Sequence, residues 1–555
     1  MKVFLASMIL AGFALGSLWA RPTETARACG DAGAFDFDTF ESENYTVTYA
    51  RAIELATAGK AITSAYSLLN ANETIDVRYQ GLLKGSRLAR TAAPDANAPI
   101  PPSVYKSIAW IEANWNNASG SVPFGGVGPV VVSFDCGYGL GQVTTGMTNT
   151  TGTATARQAA IGTHFLFNIA EGVRILADKW NSAPRYRPLA GTGDPSALED
   201  WYYAIWSYNG FAFSNHPLNP MRDPLRGGGT SRPFLFHCDD PAAPSFGGGA
   251  SAQFKYSDFT YQERVYGCMQ YPPQRAPVGA PGGTPKTRIW QPQLFNMPNF
   301  AEPVIASAFD PKNFTDCEDA GFAGGCSKMD FPTAYIPAQA PPPTPTPTPT
   351  GSATPTPTGS PTPTATATAT PRVPPTPVVP VVTHRDNTSP VDPAIAATLL
   401  GAPVFTFSGP TAATLSVQPG GTVESATITV KNTGTGILPF RVRTSAAWIT
   451  VRHPGDDASR TLDGGVAIGA EVQVVTQSPT AGPPSRPRLF QLGYQSQLII
   501  TLVPGRVPAG TTQGSVWIEP LFGSGTAVQI KITAMSSGDP LPYKVVAPGT
   551  ASDAN

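Results

Sequence analysis

Pro101-Pro-Ser-Val-Tyr-Lys-Ser-Ile-Ala-Trp-Ile-Glu-Ala-Asn-Trp-Asn116 is the stretch whose reading decides the first half of the chain. Two prolines and Ser103 make a helix start, because proline suits the first turn and a serine hydroxyl can satisfy free amides there. At about 100° per residue, Val104, Ile108, Ile111 and Trp115 share one narrow face, which a helix would bury. Glu112 falls about 40° from Ile108 on the same wheel, at the rim of the stripe beside Tyr105. A carboxyl group on such a rim loses part of its hydration, which disfavours the charged form and raises its pKa. A general acid working near neutral pH needs that property. From this helix alone, a surface glutamate next to a buried face is the simpler reading.

The next pieces change the balance. Asp135-Cys-Gly-Tyr-Gly-Leu-Gly-Gln142 places Gly137, Gly139 and Gly141 within five positions, which suits neither a helix nor a strand interior. It reads as a tight turn whose backbone lies close against a neighbour, with the Gln142 amide beside it. No following Lys-Ser/Thr and no GxGxxG accompanies it, so no phosphate motif is present. Ile161–Trp180 then reads as one long helix burying Ile161, Phe165, Ile169, Gly172, Val173 and Leu176, with Asn168 at an edge. Leu198–Gly210 reads as a helix stopping at Tyr208-Asn209-Gly210.

A helical Glu, a G-L-x-Q loop, an N-I-x-x-G helix and a terminal Y-N-G, in that order over roughly residues 100–215, resemble the lytic transglycosylase and goose-type lysozyme family (glycoside hydrolase family 23-like). The resemblance implies a mainly α, lysozyme-like catalytic domain that cleaves the β-1,4 bond between N-acetylmuramic acid and N-acetylglucosamine. It implies Glu112 as the acid and Tyr138, Gly139, Leu140, Gly141 and Gln142 along the sugar groove. Asn168 would frame the site, while Tyr208 and Asn209 close on the acid or the substrate. There are departures: Ala113 stands where the family usually has Ser, Gly141 where it usually has Met, and Ala118–Phe134 is an insert. Two carboxylates are usual for glycoside cleavage, but the resembled family generally manages with one, the substrate's own N-acetyl or C6 hydroxyl completing displacement. Asp135 is the candidate second carboxylate; it also reads as a cap for the glycine-rich turn. Competing readings are a catalytically inactive glycan-binding surface protein, and a hydrolase of another N-acetylated polysaccharide such as chitin.

Outward from this core, residues 1–28 read as a signal peptide, a cationic start and a short apolar run cleaved after Ala20 or Ala28. The protein is therefore expected to be secreted or in the cell envelope, with no membrane span after signal removal. A net charge of −1 leaves no electrostatic footprint for nucleic acid. No cofactor and no metal site are expected: the cysteine spacings match no zinc motif. The six cysteines, Cys29, Cys136, Cys238, Cys268, Cys317 and Cys326, are disulfide candidates in an exported chain. Cys317 with Cys326, Cys238 with Cys268 and Cys29 with Cys136 is one of several connectivities open to them. Tyr49–Leu69 and Ile75–Arg90 read as helical patches. Residues 216–335 form a Gly/Pro-rich extension of the 29–335 catalytic domain, with aromatics (Phe234, Phe236, Tyr256, Tyr261, Tyr266, Trp290) that line a groove or simply pack. His216 and His237 there read as structural.

Residues 340–381 are a Pro/Thr-rich linker that cannot bury a core and favours extended polyproline II. At about 3.1 Å per residue it could hold two domains on the order of 120 Å apart. Beyond it the period changes to two. Nine short strands between residues 400 and 536, starting at Phe405, Thr414, Ala426, Phe440, Trp448, Val472, Leu498, Ser515 and Val528, indicate an all-β Ig-like sandwich. Leu438–Val451 and Val507–Ile518 resemble bacterial BACON-type modules, which implies a surface glycan or protein as partner beside the peptidoglycan strands expected of the first domain. Trp448 and Trp517 read as core. Residues 537–555 are a tail.

Overall fold

The computed structural model describes residue 29 and residues 33–41, 45–68, 72–85, 91–150, 154–182, 193–210, 212–215, 235–239, 256–276, 282–296, 383–418, 423–452, 471–475 and 495–536. The signal-peptide stretch, the 340–381 linker, the 537–555 tail, His216, Phe234 and the Cys317–Cys326 pair lie outside them.

The first body contains α1 (Tyr45–Thr57), α2 (Pro102–Ala113), α3 (Ala156–Thr163), α4 (Phe165–Asn181), α5 (Tyr202–Tyr208) and α6 (Tyr261–Gln270). Short antiparallel pairs sit around them: β1 (Asp38–Phe40) with β4 (Val127–Pro129), β2 (Tyr66–Leu68) with β3 (Glu73–Ile75), and β5 (Gln274–Arg275) with β6 (Thr287–Arg288). Helix α2 is its axis. Every residue from Ser103 to Trp110 is buried, so the helix is wrapped on all sides, where the one-sided apolar stripe predicted a single buried face. Even its Lys106 is buried, neutralised by Glu54 of α1.

Four local expectations are corrected. Ser103 does not cap α2; its amide donates to Asp386 Oδ2 at 2.7 Å, so the cap comes from far along the chain. The expected Ile161–Trp180 helix is two helices joined at His164, which has an extended backbone (φ −130°, ψ 116°). The Thr39 hydroxyl donates to the Thr163 carbonyl (2.8 Å), and His164 Nδ1 accepts the Leu166 amide (3.1 Å) and starts the next helix. The first helical patch ends at Thr57, with β2 at Tyr66–Leu68. Ile75–Arg90 is not helical where described: Ile75, Val77 and Leu82 are buried along an extended path, and Leu82 bridges to Asp95.

The second body is a two-sheet β-sandwich with all nine expected strands. These are β7 (Phe405–Ser408), β8 (Ala412–Val417), β9 (Ala426–Asn432), β10 (Leu438–Thr444), β11 (Ile449–Arg452), β12 (Glu471–Val475), β13 (Gln495–Leu502), β14 (Gly510–Pro520) and β15 (Val528–Ser536). One sheet runs β12-β10-β14-β15-β8, the other β11-β13-β9-β7, with β15–β8 the parallel pair. Alternate residues such as Ile428, Val430, Phe440, Val442, Leu498, Ile500, Val516, Ile518, Ile530 and Ile532 meet between the sheets, and Trp448 joins them.

The sandwich is docked on the helical body, not spaced from it. Arg441 of β10, 1% exposed, donates to Glu73 Oε1 (2.7 Å) and to the Ala154 carbonyl (2.8 Å) across the interface, and to Glu519 Oε2 (2.9 Å) in its own sheet. Phe522 packs on Tyr66, His164 and Phe167 at ring separations of 6.0, 5.4 and 5.3 Å. Burial in this apolar contact pushes His164 down to about 3, leaving the imidazole neutral. Residues 383–400, ending in α7 (Ile395–Leu400), strap the helical body. His384 N–H donates to Glu199 Oε2 (3.0 Å), and Asn387 N–H to Gln293 Oε1 (3.0 Å). Linker length sets the greatest separation, not the one adopted. Closing a longer tether costs only about 0.6 kcal/mol more per doubling, which a buried interface readily offsets.

Candidate functional site

Glu112 occupies the last turn of α2, which stops because Asn114 and Trp115 both take left-handed backbone (φ 51° and 59°). That conformation is unfavourable for a tryptophan, and burial offsets it: Trp115 is 0% exposed and its indole N–H donates to the Lys106 carbonyl at 2.9 Å. The reversal carries the chain back beneath Glu41. This buried carboxylate accepts the amides of Asn117 (2.8 Å) and Ala118 (2.7 Å).

Asn117 in turn accepts the Leu140 amide at 3.2 Å, inside the glycine turn. The turn needs left-handed backbone at Cys136, Gly139 and Gln142. A side chain on Gly139 would lie 2.4 Å from Asn168 Nδ2, so only glycine fits there. Asn168 is the clamp: it accepts the Gly141 amide (2.8 Å) and donates to the carbonyls of Tyr138 (2.7 Å) and Ile161 (3.2 Å). The Tyr208 hydroxyl donates to the Gly141 carbonyl at 2.7 Å. Gly172 serves the same junction, since a Cβ there would sit 1.8 Å from the Tyr105 hydroxyl. The disulfide Cys29–Cys136 ties the turn to the start of the described chain.

A cleft of about 430 Å³ opens beside this junction, with Glu112, Phe134, Asp135, Gln142, Tyr208 and Asn209 among its lining and Ile175 and Lys179 of α4 on another wall. Five of the predicted site residues therefore meet in one place. Tyr138 and Leu140 are 0% exposed and stand behind the wall; the Tyr138 hydroxyl accepts the Phe35 amide at 2.7 Å. Gly139, Gly141 and Asn168 are buried and shape the wall from within. Gln142 spends its amide on the turn, donating to the Gly139 carbonyl at 2.7 Å. Asp135 is exposed on the lip and accepts the Ser133 hydroxyl; Ser133 Oγ, not Asp135, caps the turn by accepting the Gly137 amide at 2.9 Å.

Lost hydration raises Glu112 to about 7, a hydrogen bond from Tyr261 and the charge of Arg264 pull the other way, and the negative Asp135 adds to the rise. The Tyr261 hydroxyl donates to Glu112 Oε1 at 2.5 Å. Burial raises the phenols of Tyr105, Tyr208 and Tyr261, so all three are neutral near Glu112, and of the three it is Tyr261 that donates to it. Such an acid is half protonated near neutral pH and can give or take a proton inside a sugar-sized cleft.

Sequence reasoning passed over α6 and Phe134. Helix α6 begins with a reciprocal capping box, Thr260 with Glu263, and Thr260-Tyr-Gln-Glu263 was a readable signal for it. The helix is anchored by the Cys238–Cys268 disulfide, and both described disulfides belong to one of the several connectivities the sequence left open. Phe134 is 78% exposed on the cleft lip, and nothing in its spacing distinguished it from a loop residue.

No helix among the described residues is long and apolar enough to cross a membrane. No family model matches the chain, and no curated protein matches it. Among solved structures, the ASH/PapD-like domain of human CEP192 (PapD-like domain 7) is similar to 24% of this chain and 86% of its own, at 12% identity and a TM-score of 0.15. The periplasmic chaperone SfaE is similar over 24% of this chain and 57% of its own, at 13% identity and a TM-score of 0.13. Superpositions this poor carry no argument; the sandwich rests on its own strand pairing.

Proposed function

We propose that the protein is an exported peptidoglycan-cleaving enzyme whose lysozyme-like helical domain uses Glu112 as both general acid and general base. The observation that carries this reading is a carboxyl group held near pH 7 in a cleft walled by the glycine turn. Protonated Glu112 gives its proton to the glycosidic oxygen as the C1–O4 bond between N-acetylmuramic acid and N-acetylglucosamine breaks. The ionised carboxylate then takes the proton of the substrate's C6 hydroxyl as that oxygen bonds to C1, leaving a 1,6-anhydro end. The exposed Phe134 ring offers a face on which a sugar can stack. Two disulfides, which form and persist in oxidising compartments, support export.

Asp135 on the same lip favours a second reading, in which it activates water and the enzyme is a lysozyme with reducing ends as product. Digestion of purified peptidoglycan, with chitin in parallel and Glu112→Gln as control, tests both by mass spectrometry of the released ends. Anhydro ends support the transglycosylase and reducing ends the hydrolase. Wild-type release no greater than that of Glu112→Gln overturns both and leaves a glycan-binding protein. The sandwich is read as an Ig-like, BACON-type module for a surface glycan or protein.

A further inference from the structure

We infer that Tyr261 is the positioning residue of Glu112, supplied by a disulfide-anchored helix outside the core that carries the resemblance; the inference rests on Glu112 being the proton donor. Tyr208, which the Y-N-G resemblance would direct to the acid, is engaged elsewhere, its hydroxyl donating to the Gly141 carbonyl. The hydroxyl that meets Glu112 comes instead from Tyr261, 149 residues further along the chain, at 2.5 Å.

Helix α6 is fixed at its start and near its end. Its capping box sets the first turn, with Glu263 accepting the Thr260 amide at 2.7 Å. The Tyr261 amide donates to Asn215 Oδ1 at 2.9 Å, and Asn215 Nδ2 donates to Asn209 Oδ1 at 2.7 Å, joining α6 to the cleft residue after α5. Cys268, two residues short of the helix end, is bonded to Cys238. Helix α6 also packs along α2, with Met269 Sδ 3.7 Å from Ser103 Oγ. A phenol on so constrained a backbone holds one rotamer of the glutamate and donates to its charged form, which favours ionisation. Glu112 is also faced by Arg264 of α6, Asp135 of the lip, Tyr105 of its own helix and Tyr208 of α5.

The test is a double difference on the oxidised full chain. Unfolding free energies of wild type and Glu112→Gln are compared from pH 4 to 9, then the same pair in a Tyr261→Phe background. Within each background the difference levels off at the pH where folded Glu112 has lost its proton. The expected result is that this pH moves up by about one unit when the hydroxyl is removed. A purely structural tyrosine lowers both members of the pair equally and leaves that pH unmoved, which would overturn the inference. Peptidoglycan cleavage supplies a second arm: the alkaline limb of kcat/KM moves up by the same amount. A wild type that cleaves nothing would sink the functional reading, while the stability titration still decides Tyr261.

Discussion

The two bodies of this molecule use sequence in opposite ways. In the sandwich, each strand is readable from its own alternation, and the sheets bury residues that are apolar in place: Ile428, Val430, Leu498 and Ile500 behave as local patterning requires. In the helical body, the residues that matter are held by partners far away. Asp386 starts α2, Glu41 holds the segment after it, Asn168 clamps the glycine turn and Tyr261 meets Glu112. A fold whose elements are locally specified tolerates scattered substitution; a site assembled from distant segments does not.

Substitutions can break that contrast. Glu112→Gln is expected to have the largest effect, lowering the cleavage rate by about 10²–10⁴-fold while the chain stays folded, as activity and circular dichroism would show. Its stability should move the other way. Folded Glu112 binds its proton more tightly than the ordinary carboxyl at 4.5 does, so ionising it in the fold costs stability. The cost is absent below about pH 4.5, grows towards pH 7 and is constant above. Glu112→Gln should therefore match wild type at pH 4 and exceed it at pH 8 by on the order of 3 kcal/mol, read by chemical unfolding. Wild-type cleavage itself should fall as pH rises through 7, since the acid must start protonated.

Arg441→Met removes the cation between Glu73 and Glu519. A loss of about 2–3 kcal/mol is expected from the charged hydrogen bonds removed, mostly on the partly buried Glu73, which keeps the Ala156 amide, while Glu519 keeps Arg443; the interface should loosen before the sandwich core. Equal protection of both bodies in hydrogen exchange would show that the docked arrangement does not depend on this residue.

Gly172→Ala should cost roughly 1–3 kcal/mol by overpacking, because its Cβ collides with the Tyr105 hydroxyl beneath the cleft wall. Gly505→Ala, in the turn between β13 and β14 where a Cβ would meet no atom within 4 Å, should change stability by less than about 0.5 kcal/mol. Similar losses at the two sites, measured by thermal unfolding, would erase the contrast between the bodies. Phe134→Ala should leave stability unchanged and weaken oligosaccharide binding about 3- to 10-fold, worth on the order of 1 kcal/mol. Titration calorimetry with the Glu112→Gln protein reads it without turnover.

Much of the arrangement was legible before folding. Period-two alternation marked all nine strands, and the four short motifs around Glu112 converge on one junction, because each encodes something local: a helix rim, left-handed turns, a side-chain amide, a glycine stop. The same local reasoning failed where a partner overrode it. It ran one helix through His164, which Thr39 and the next helix interrupt, and it read Ser103 as a cap that Asp386 supplies. The resemblance, for its part, put Tyr138 and Leu140 along the groove, and both are fully buried behind its wall.

From the residue order alone came Glu112 as the candidate acid, the glycine turn beside it and the strands of the second body; the two described disulfides were one of several pairings it left open. Tertiary structure alone decided that the sandwich rests on the helical body through Arg441 and Phe522. It also decided that Tyr261 reaches Glu112 and that Tyr208 is turned to the Gly141 carbonyl. The reason is physical: a carboxyl group's proton affinity depends on the water it has lost and the donors that replaced it, and both are set by chain segments that sequence proximity does not bring together.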